Sequence, residues 1–242
     1  MPKHYFFQPD IPPEGEEKAL NFSESRHAVK VLRLKEGNRV GLLDGEGTKA
    51  EAEVSGINGS GKRLQVSCKI IVREFVEPPT TKVCLFVAMT KAKQMSLIFK
   101  QATELGVWEI TPVLCENSVA NVEENNVKPH WKEDITVAVK QSRNPFCPVL
   151  NGVSSFENAL KSSCEYGFFG DLGAPEESVH GYLSPCPAKI ALWIGPEGGF
   201  SAAEKYALIG SGYRGLVVGP NVLRVETAVT ATLGWFRGAG VG

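Results

Sequence analysis

Ile194-Gly195-Pro196-Glu197-Gly198-Gly199-Phe200-Ser201 decides how this chain is read. The stretch follows an apolar run, Ile190 to Ile194, and precedes a segment of helical pattern, Ser201 to Ile209. Three glycines and a proline fall within residues 195–199. Such a turn has bare backbone that reaches positive φ and lets a ligand come close. Ser201 with Glu204 fits a capping box, so a helix starts directly after the loop. Strand, glycine-rich turn and helix form the repeating unit of a parallel α/β sheet, whose ligands lie at the C-terminal ends of strands. On spacing alone the loop also reads as a well-capped connector. The GxxxxGK[ST] and GxGxxG phosphate patterns are absent.

A second loop repeats the design. Val218-Gly219-Pro220-Asn221-Val222-Leu223-Arg224-Val225-Glu226-Thr227-Ala228 leaves the strand-like Leu216 to Val218 and feeds a helix from Glu226 to Phe236. Glu226 suits the first turn of that helix. Arg224 and Glu226 read either as a solvated ion pair or as site groups. Two Gly-Pro loops after two strands of one domain make the walls of a single pocket. The same rhythm runs upstream. Val83 to Met89 is a continuous apolar run, as in a strand covered on both faces. The helix after it carries Ala92, Met95, Ile98, Ala102 and Leu105 on one face, and Gly106 ends it. Ile110 to Leu114 and Tyr166 to Phe169 are further strands. A helix from Lys128 to Ser142 shows Trp131, Ile135, Ala138 and Val139 on one side and stops before Pro145.

Ahead of this the pattern differs. Glu24 to Leu34 is helical and ends near Gly37, followed by strands at Asn38 to Leu43, Lys49 to Ile57 and Arg63 to Val72. Asp44-Gly45-Glu46-Gly47 and Asn58-Gly59-Ser60-Gly61 are hairpin signals between them. Short strands with tight turns predict a small antiparallel barrel. Glu77-Pro78-Pro79-Thr80 interrupts both patterns and divides the chain into a barrel domain, 1–76, and an α/β domain, 77–242.

The remaining composition narrows the function classes. No run of about 18 apolar residues exists and the N-terminus lacks a signal-peptide core, so a cytoplasmic protein without membrane contact is expected. Six cysteines, Cys68, Cys84, Cys115, Cys147, Cys164 and Cys186, and four histidines are dispersed without ligand spacing, which predicts buried inert thiols and no metal. A net charge of −1 gives no overall basic character. Nucleic-acid binding nevertheless needs only a local patch. Arg26, Lys30 and Arg33 fall at i, i+4 and i+7 and form a basic stripe, with His27 beside it. The stripe reads equally as a solvated helix face. Glu104 opposes the dipole of its helix near Gly106, and Lys100 one turn earlier offsets it.

The motifs Gly-Pro-Glu-Gly-Gly-Phe-Ser (195–201) and Leu-Arg-Val-Glu-Thr-Ala (223–228) resemble those of the ribosomal RNA small-subunit methyltransferase E family. Lys100-Gln101-Ala102-Thr103-Glu104-Leu105-Gly106 and Arg26-His27-Ala28-Val29-Lys30-Val31-Leu32-Arg33 carry the resemblance nearly end to end. It implies a PUA-like barrel followed by a trefoil-knotted SPOUT α/β domain. The implied activity is S-adenosylmethionine-dependent methylation of N3 of a specific uridine in 16S rRNA, or in the assembled small subunit, by a homodimer. The implied cofactor residues are Ile194, Gly195, Glu197, Gly199, Val218, Gly219, Asn221 and Leu223, with adenine held largely by backbone groups. RNA contacts fall to Arg26, His27, Lys30, Arg33, Gln141 and Arg143. The chain departs from the family at Asn117, where arginine is usual, at Arg143-Asn144, where the basic residue comes one position early, and at Val225, where threonine is common.

Uridine N3 must lose its proton before it can attack a methyl group. Arg224 is the candidate for stabilising the resulting anion, since a guanidinium cannot act as a base. Glu226 either accepts the proton or orients Arg224. Methylation of another base or a ribose hydroxyl, and non-catalytic RNA binding on the same fold, remain open on sequence.

Overall fold

The computed structural model describes residues 2–118, 127–174 and 187–240. The chain forms two compact units, one of residues 1–78 with 136–147 and one of 79–135 with 148–242. Among the described residues no helix is long and apolar enough to cross a membrane.

The first unit holds strands β1 (Tyr5–Phe7), β2 (Glu17–Ala19), β3 (Arg39–Leu43), β4 (Thr48–Asn58) and β5 (Gln65–Phe75) in the order β1-β3-β4-β5-β2. Alternate residues of β4, Thr48, Ala50, Ala52 and Val54, are buried, as period-two patterning requires of a half-covered strand. Ala50, Ala52 and Val54 pack with Phe6, Leu42, Val66 and Ile70. The first hairpin forms as expected, and Asp44 Oδ1 accepts from the backbone N–H groups of Glu46 (2.7 Å) and Thr48 (2.9 Å). Register shifts at Glu51/Ala52 and Val54/Gly56 bend β4 against β5. The sheet is not wholly antiparallel, because β1 runs parallel to β3 with Tyr5 opposite Gly41. A long crossover between the two strands permits this pairing.

The expected helix from Glu24 to Leu34 is shorter and of two kinds. A helix α1 (Phe22–Arg26) widens into a π turn, His27–Val31. Leu32 N–H reaches back to His27 O (3.0 Å) and Leu34 N–H to Ala28 O (2.9 Å), which closes the helix and leaves Arg33 at φ +54°. Arg33 therefore lies outside the helix, and the i, i+4, i+7 stripe is reduced to Arg26 and Lys30.

The second unit is a parallel α/β structure. Strands β6 (Lys82–Ala88), β7 (Glu109–Leu114), β8 (Val149–Leu150), β9 (Ser154–Ser155), β10 (Gly167–Gly170), β11 (Lys189–Ile194) and β12 (Arg214–Leu216) form one sheet of the described residues. Its order is β12-β10-β11-β6-β7-β8, with β9 beside β7, and every pairing is parallel. Residues 83–88 of β6 are all buried, as the continuous apolar run predicts. Helix α2 (Ala92–Glu104) buries Met95, Ile98, Phe99 and Ala102. It ends in a Schellman motif: Val107 N–H bonds Ala102 O (3.0 Å), Gly106 N–H bonds Thr103 O (3.1 Å), and Gly106 takes φ +72°. Lys100 does not offset Glu104; it pairs with Asp134 at 2.9 Å, on helix α3 (Pro129–Ser142), and Glu104 is exposed. Trp131, Ile135, Ala138 and Val139 are the buried face of α3. The unit is completed by α4 (Phe156–Lys161), α5 (Ala202–Gly210) and α6 (Val225–Gly238).

Candidate cofactor cavity and its supports

The two glycine-rich loops follow β11 and β12, adjacent to β10 from either side. Ser201 caps α5 with the expected box. Its Oγ accepts from Glu204 N–H (3.2 Å), and Glu204 Oε2 accepts from Ser201 N–H (2.8 Å). The turn itself is closed by Gly199 N–H to Pro196 O at 2.8 Å, with Gly199 at φ +71°. A Cβ on Gly195 would approach the Phe200 ring to 3.1 Å, so glycine there permits Phe200 to pack under the loop. Phe200 is buried beside Phe156 and Phe169.

Three further residues hold this loop, and none is legible as a site residue from spacing. The second oxygen of Glu204, Oε1, accepts from Glu116 N–H (2.9 Å) in the loop after β7. From the same loop Asn117 Nδ2 donates to Gly199 O (3.1 Å). Thr90 Oγ1, just after β6, donates to Glu197 Oε1 (3.2 Å). Asn117 is the family departure noted above, and its shorter side chain here meets the loop backbone directly. Cys115 beside it is buried, and burial pushes its thiol well above the ordinary range.

The loops enclose a cavity of about 250 Å³ whose lining includes Ile194, Gly195, Glu197, Gly199, Val218, Gly219, Asn221 and Leu223, the eight residues that the family resemblance implies. The strand expected at Leu216 to Val218 ends at Leu216, so Val218 belongs to the loop and lines the cavity. A third wall, Gly170 to Leu172, has no sequence signal of its own. Asp171 in it is held by Lys205 Nζ at 2.7 Å and by a backbone bond from its N–H to Leu216 O.

Arg224 is the N-cap residue of α6, in extended conformation and exposed, without a side-chain cap bond. No ion pair joins it to Glu226 among the described residues. Glu226 Oε2 is shielded from solvent and has no hydrogen-bond partner. The cysteines Cys68, Cys84 and Cys115 are buried, Cys147 and Cys164 are half-buried, and among the described residues none of the five forms a disulfide. Cys186 lies outside the described residues. Among the described residues no cluster of metal-ligating side chains occurs.

The family model described as RNA methyltransferase domain matches residues 76–237. The chain belongs to the RNA methyltransferase family. A second model, the RNA methyltransferase PUA domain, matches residues 21–67, so the N-terminal sheet is PUA-like. Among relatives, the ribosomal RNA small subunit methyltransferase E of Mycobacterium bovis is 29% identical over 237 residues, covering 95% of this chain and 89% of that protein. The protein of the same name from Aquifex aeolicus is 28% identical over 217 residues, covering 88% and 90%. A Legionella pneumophila protein described as a methyltransferase with the cofactor SAM bound superposes with a TM-score of 0.84 at 25% identity, covering 99% of this chain and 98% of its own. The Neisseria gonorrhoeae ribosomal RNA small subunit methyltransferase E, bound to S-adenosyl methionine, gives 0.84 at 22% identity, covering 97% of each chain. The family expected from the two loop motifs is the one found.

In this RNA methyltransferase the side chains expected to touch RNA are all in the first unit. Arg26, His27, Lys30 and Arg33 are exposed on and just after the short helix. Gln141 and Arg143 are exposed at the end of α3, where Arg143 takes φ +59° and lies 5.1 Å over the Tyr5 ring.

Proposed function

We propose that the chain transfers a methyl group from S-adenosylmethionine to N3 of a specific uridine in 16S rRNA, with residues 1–76 as the RNA-binding domain and 77–242 as the catalytic domain. The observation that carries this reading is the single cavity built jointly by the two Gly-Pro loops. Its chemistry suits the cofactor. Gly195 and Gly219 leave backbone N–H and C=O groups open to an adenine edge. Ile194, Val218 and Leu223 offer apolar faces, and a Cβ at Gly199 would point into open space. When bound there, the cofactor supplies an electrophilic methyl group on a sulfonium.

The protein's own part is to present an unpaired uridine and manage its proton. N3 lies on the pairing edge, so the base is unpaired or flipped out, at about a few kcal/mol if it starts paired. Arg224, exposed at the start of α6, stabilises the uridine anion. Glu226, two residues on, keeps an unpartnered carboxylate oxygen able to accept the N3 proton. The two loops form a trefoil knot and the protein works as a cytoplasmic homodimer. Exposed Tyr206 and Val222 supply apolar surface for a partner copy.

Transfer of tritiated methyl from labelled cofactor to small subunits, followed by nucleoside analysis, tests the reading. Label in 3-methyluridine is expected. Label in another nucleoside position would assign a different reaction, and no transfer would leave a non-catalytic RNA-binding protein.

A further inference from the structure

The first unit contains a second cavity, of about 340 Å³, that no step above uses. Lys3, His4 and Tyr5 reach it from the start of the chain and β1, His27 from the π turn, and Lys140 and Arg143 from the end of α3. Only His27 and Arg143 of these stand out in the sequence, because the rest are brought together by folding. Charge here is lopsided. Glu24 bonds the group through Oε1 to Lys140 Nζ at 2.7 Å, and Lys3 and Arg143 add two further cations to the lining.

Two features give the cavity a planar wall as well as a basic one. The Tyr5 ring sits over Gly41, its partner across β1 and β3, where any Cβ would collide with it. Arg143 adopts the left-handed conformation that glycine favours after a helix, and this turns its guanidinium back over that ring. Proteins hold unpaired nucleotides by stacking bases on aromatic rings or on arginine guanidinium planes beside a basic wall, and Arg143 over Tyr5 presents such a plane. Gln141, at the rim, has both a donor and an acceptor for a base edge.

We propose that this cavity binds one unpaired nucleotide of the substrate RNA. The phosphate lies against Lys3 and the histidines, and the base lies on the Arg143 guanidinium held over Tyr5. The proposal rests on the reading of this unit as RNA-binding and adds where, and in what state, the RNA is held.

The test uses the full chain and measures fluorescence anisotropy of a labelled unpaired RNA and of the same RNA annealed to its complement. Arg143→Gly removes the guanidinium while easing the backbone, and Lys3→Gln changes an exposed side chain, so both variants fold. Arg143→Gly is expected to weaken unpaired-RNA binding at least tenfold and duplex binding far less, and Arg143→Lys is expected not to restore it. Lys3→Gln is expected to lower the log–log salt slope by about 0.7, the share of one single-strand phosphate. Unchanged binding in both variants overturns the cavity, and if Arg26→Gln/Lys30→Gln then loses affinity the general RNA-binding reading survives. Equal losses for unpaired and duplex RNA also overturn it. Absence of any RNA binding by the unaltered chain overturns both readings.

Discussion

Glu204 offers the sharpest test of how the cofactor loop is held. Its carboxylate is buried, at 7% exposure, and each oxygen accepts one backbone N–H: Oε2 from Ser201 at 2.8 Å and Oε1 from Glu116 at 2.9 Å. Glu204→Ala leaves both donors without an acceptor. The donors belong to half-buried Ser201 and exposed Glu116, which water can reach, so each loss is that of a net hydrogen bond, roughly 0.5–1.5 kcal/mol, and the variant is expected to lose about 1–3 kcal/mol. Glu204→Gln keeps one carbonyl oxygen and replaces the other by a donor that cannot accept, so about half that loss is expected. All four tryptophans, Trp108, Trp131, Trp193 and Trp235, lie in the α/β unit, so urea unfolding followed by tryptophan fluorescence reports on the unit concerned. The cofactor loop is tied to the Glu116 loop through this side chain, so calorimetric affinity for S-adenosylmethionine should fall together with stability. A loss below about 0.5 kcal/mol for Glu204→Ala, within the range of an ordinary surface change, would refute the reasoning. So would equal losses for the two variants.

Gly199→Val forces a branched side chain into φ +71° and into the cavity, and calorimetry should find cofactor binding abolished. Arg224→Ala should slow single-turnover methyl transfer by about 10²–10³ with cofactor affinity little changed, and Arg224→Lys by more than about tenfold, because a point charge replaces the planar fork. A near-normal rate would leave Arg224 as a structural cap. Neutralising Arg26, Lys30 and Arg33 together should reduce the salt slope of RNA binding by about 0.7–0.9 for each phosphate no longer neutralised, without altering cofactor calorimetry. Burial, with Glu17 nearby, raises the Cys68 thiol from 9.0 to about 12. Its folded value exceeds the unfolded one, so its contribution to stability is complete below about pH 9 and is lost as pH rises toward 12. Iodoacetamide should therefore modify Cys68 at mildly alkaline pH only after denaturation.

Local chemistry determined much of this protein. The apolar run 83–88 of β6, the period of α2 with Gly106 behind it, and the Ser201–Glu204 box each depend on residues within a few positions of one another. They are readable before any fold is known. The two Gly-Pro loops are legible for the same reason, and the family resemblance of their motifs adds eight residues that are among those lining the cavity. Other features escape local reading. β1 and β2 are three residues each, too short to show alternation, and β1 is defined by its parallel partner β3. The π turn moves Arg33 off the helix because its hydrogen bonds skip one residue more than the sequence period assumes.

Pairings between distant residues were decided only by tertiary structure. Lys100 has Glu104 one turn away, yet it bonds Asp134 on another helix. Arg224 and Glu226 are two residues apart and remain unjoined, while Glu204 spans 88 positions to reach Glu116. Asn117 reads from sequence as a gap in a family pattern, and the fold makes it a donor to Gly199. The physical reason is common to all of them. Backbone propensity and hydrophobic period act over one or two turns, so the sequence by itself determines elements, caps and turns. A hydrogen bond or ion pair acts over about 3 Å of space regardless of chain separation, so the tertiary structure alone decides which polar groups meet.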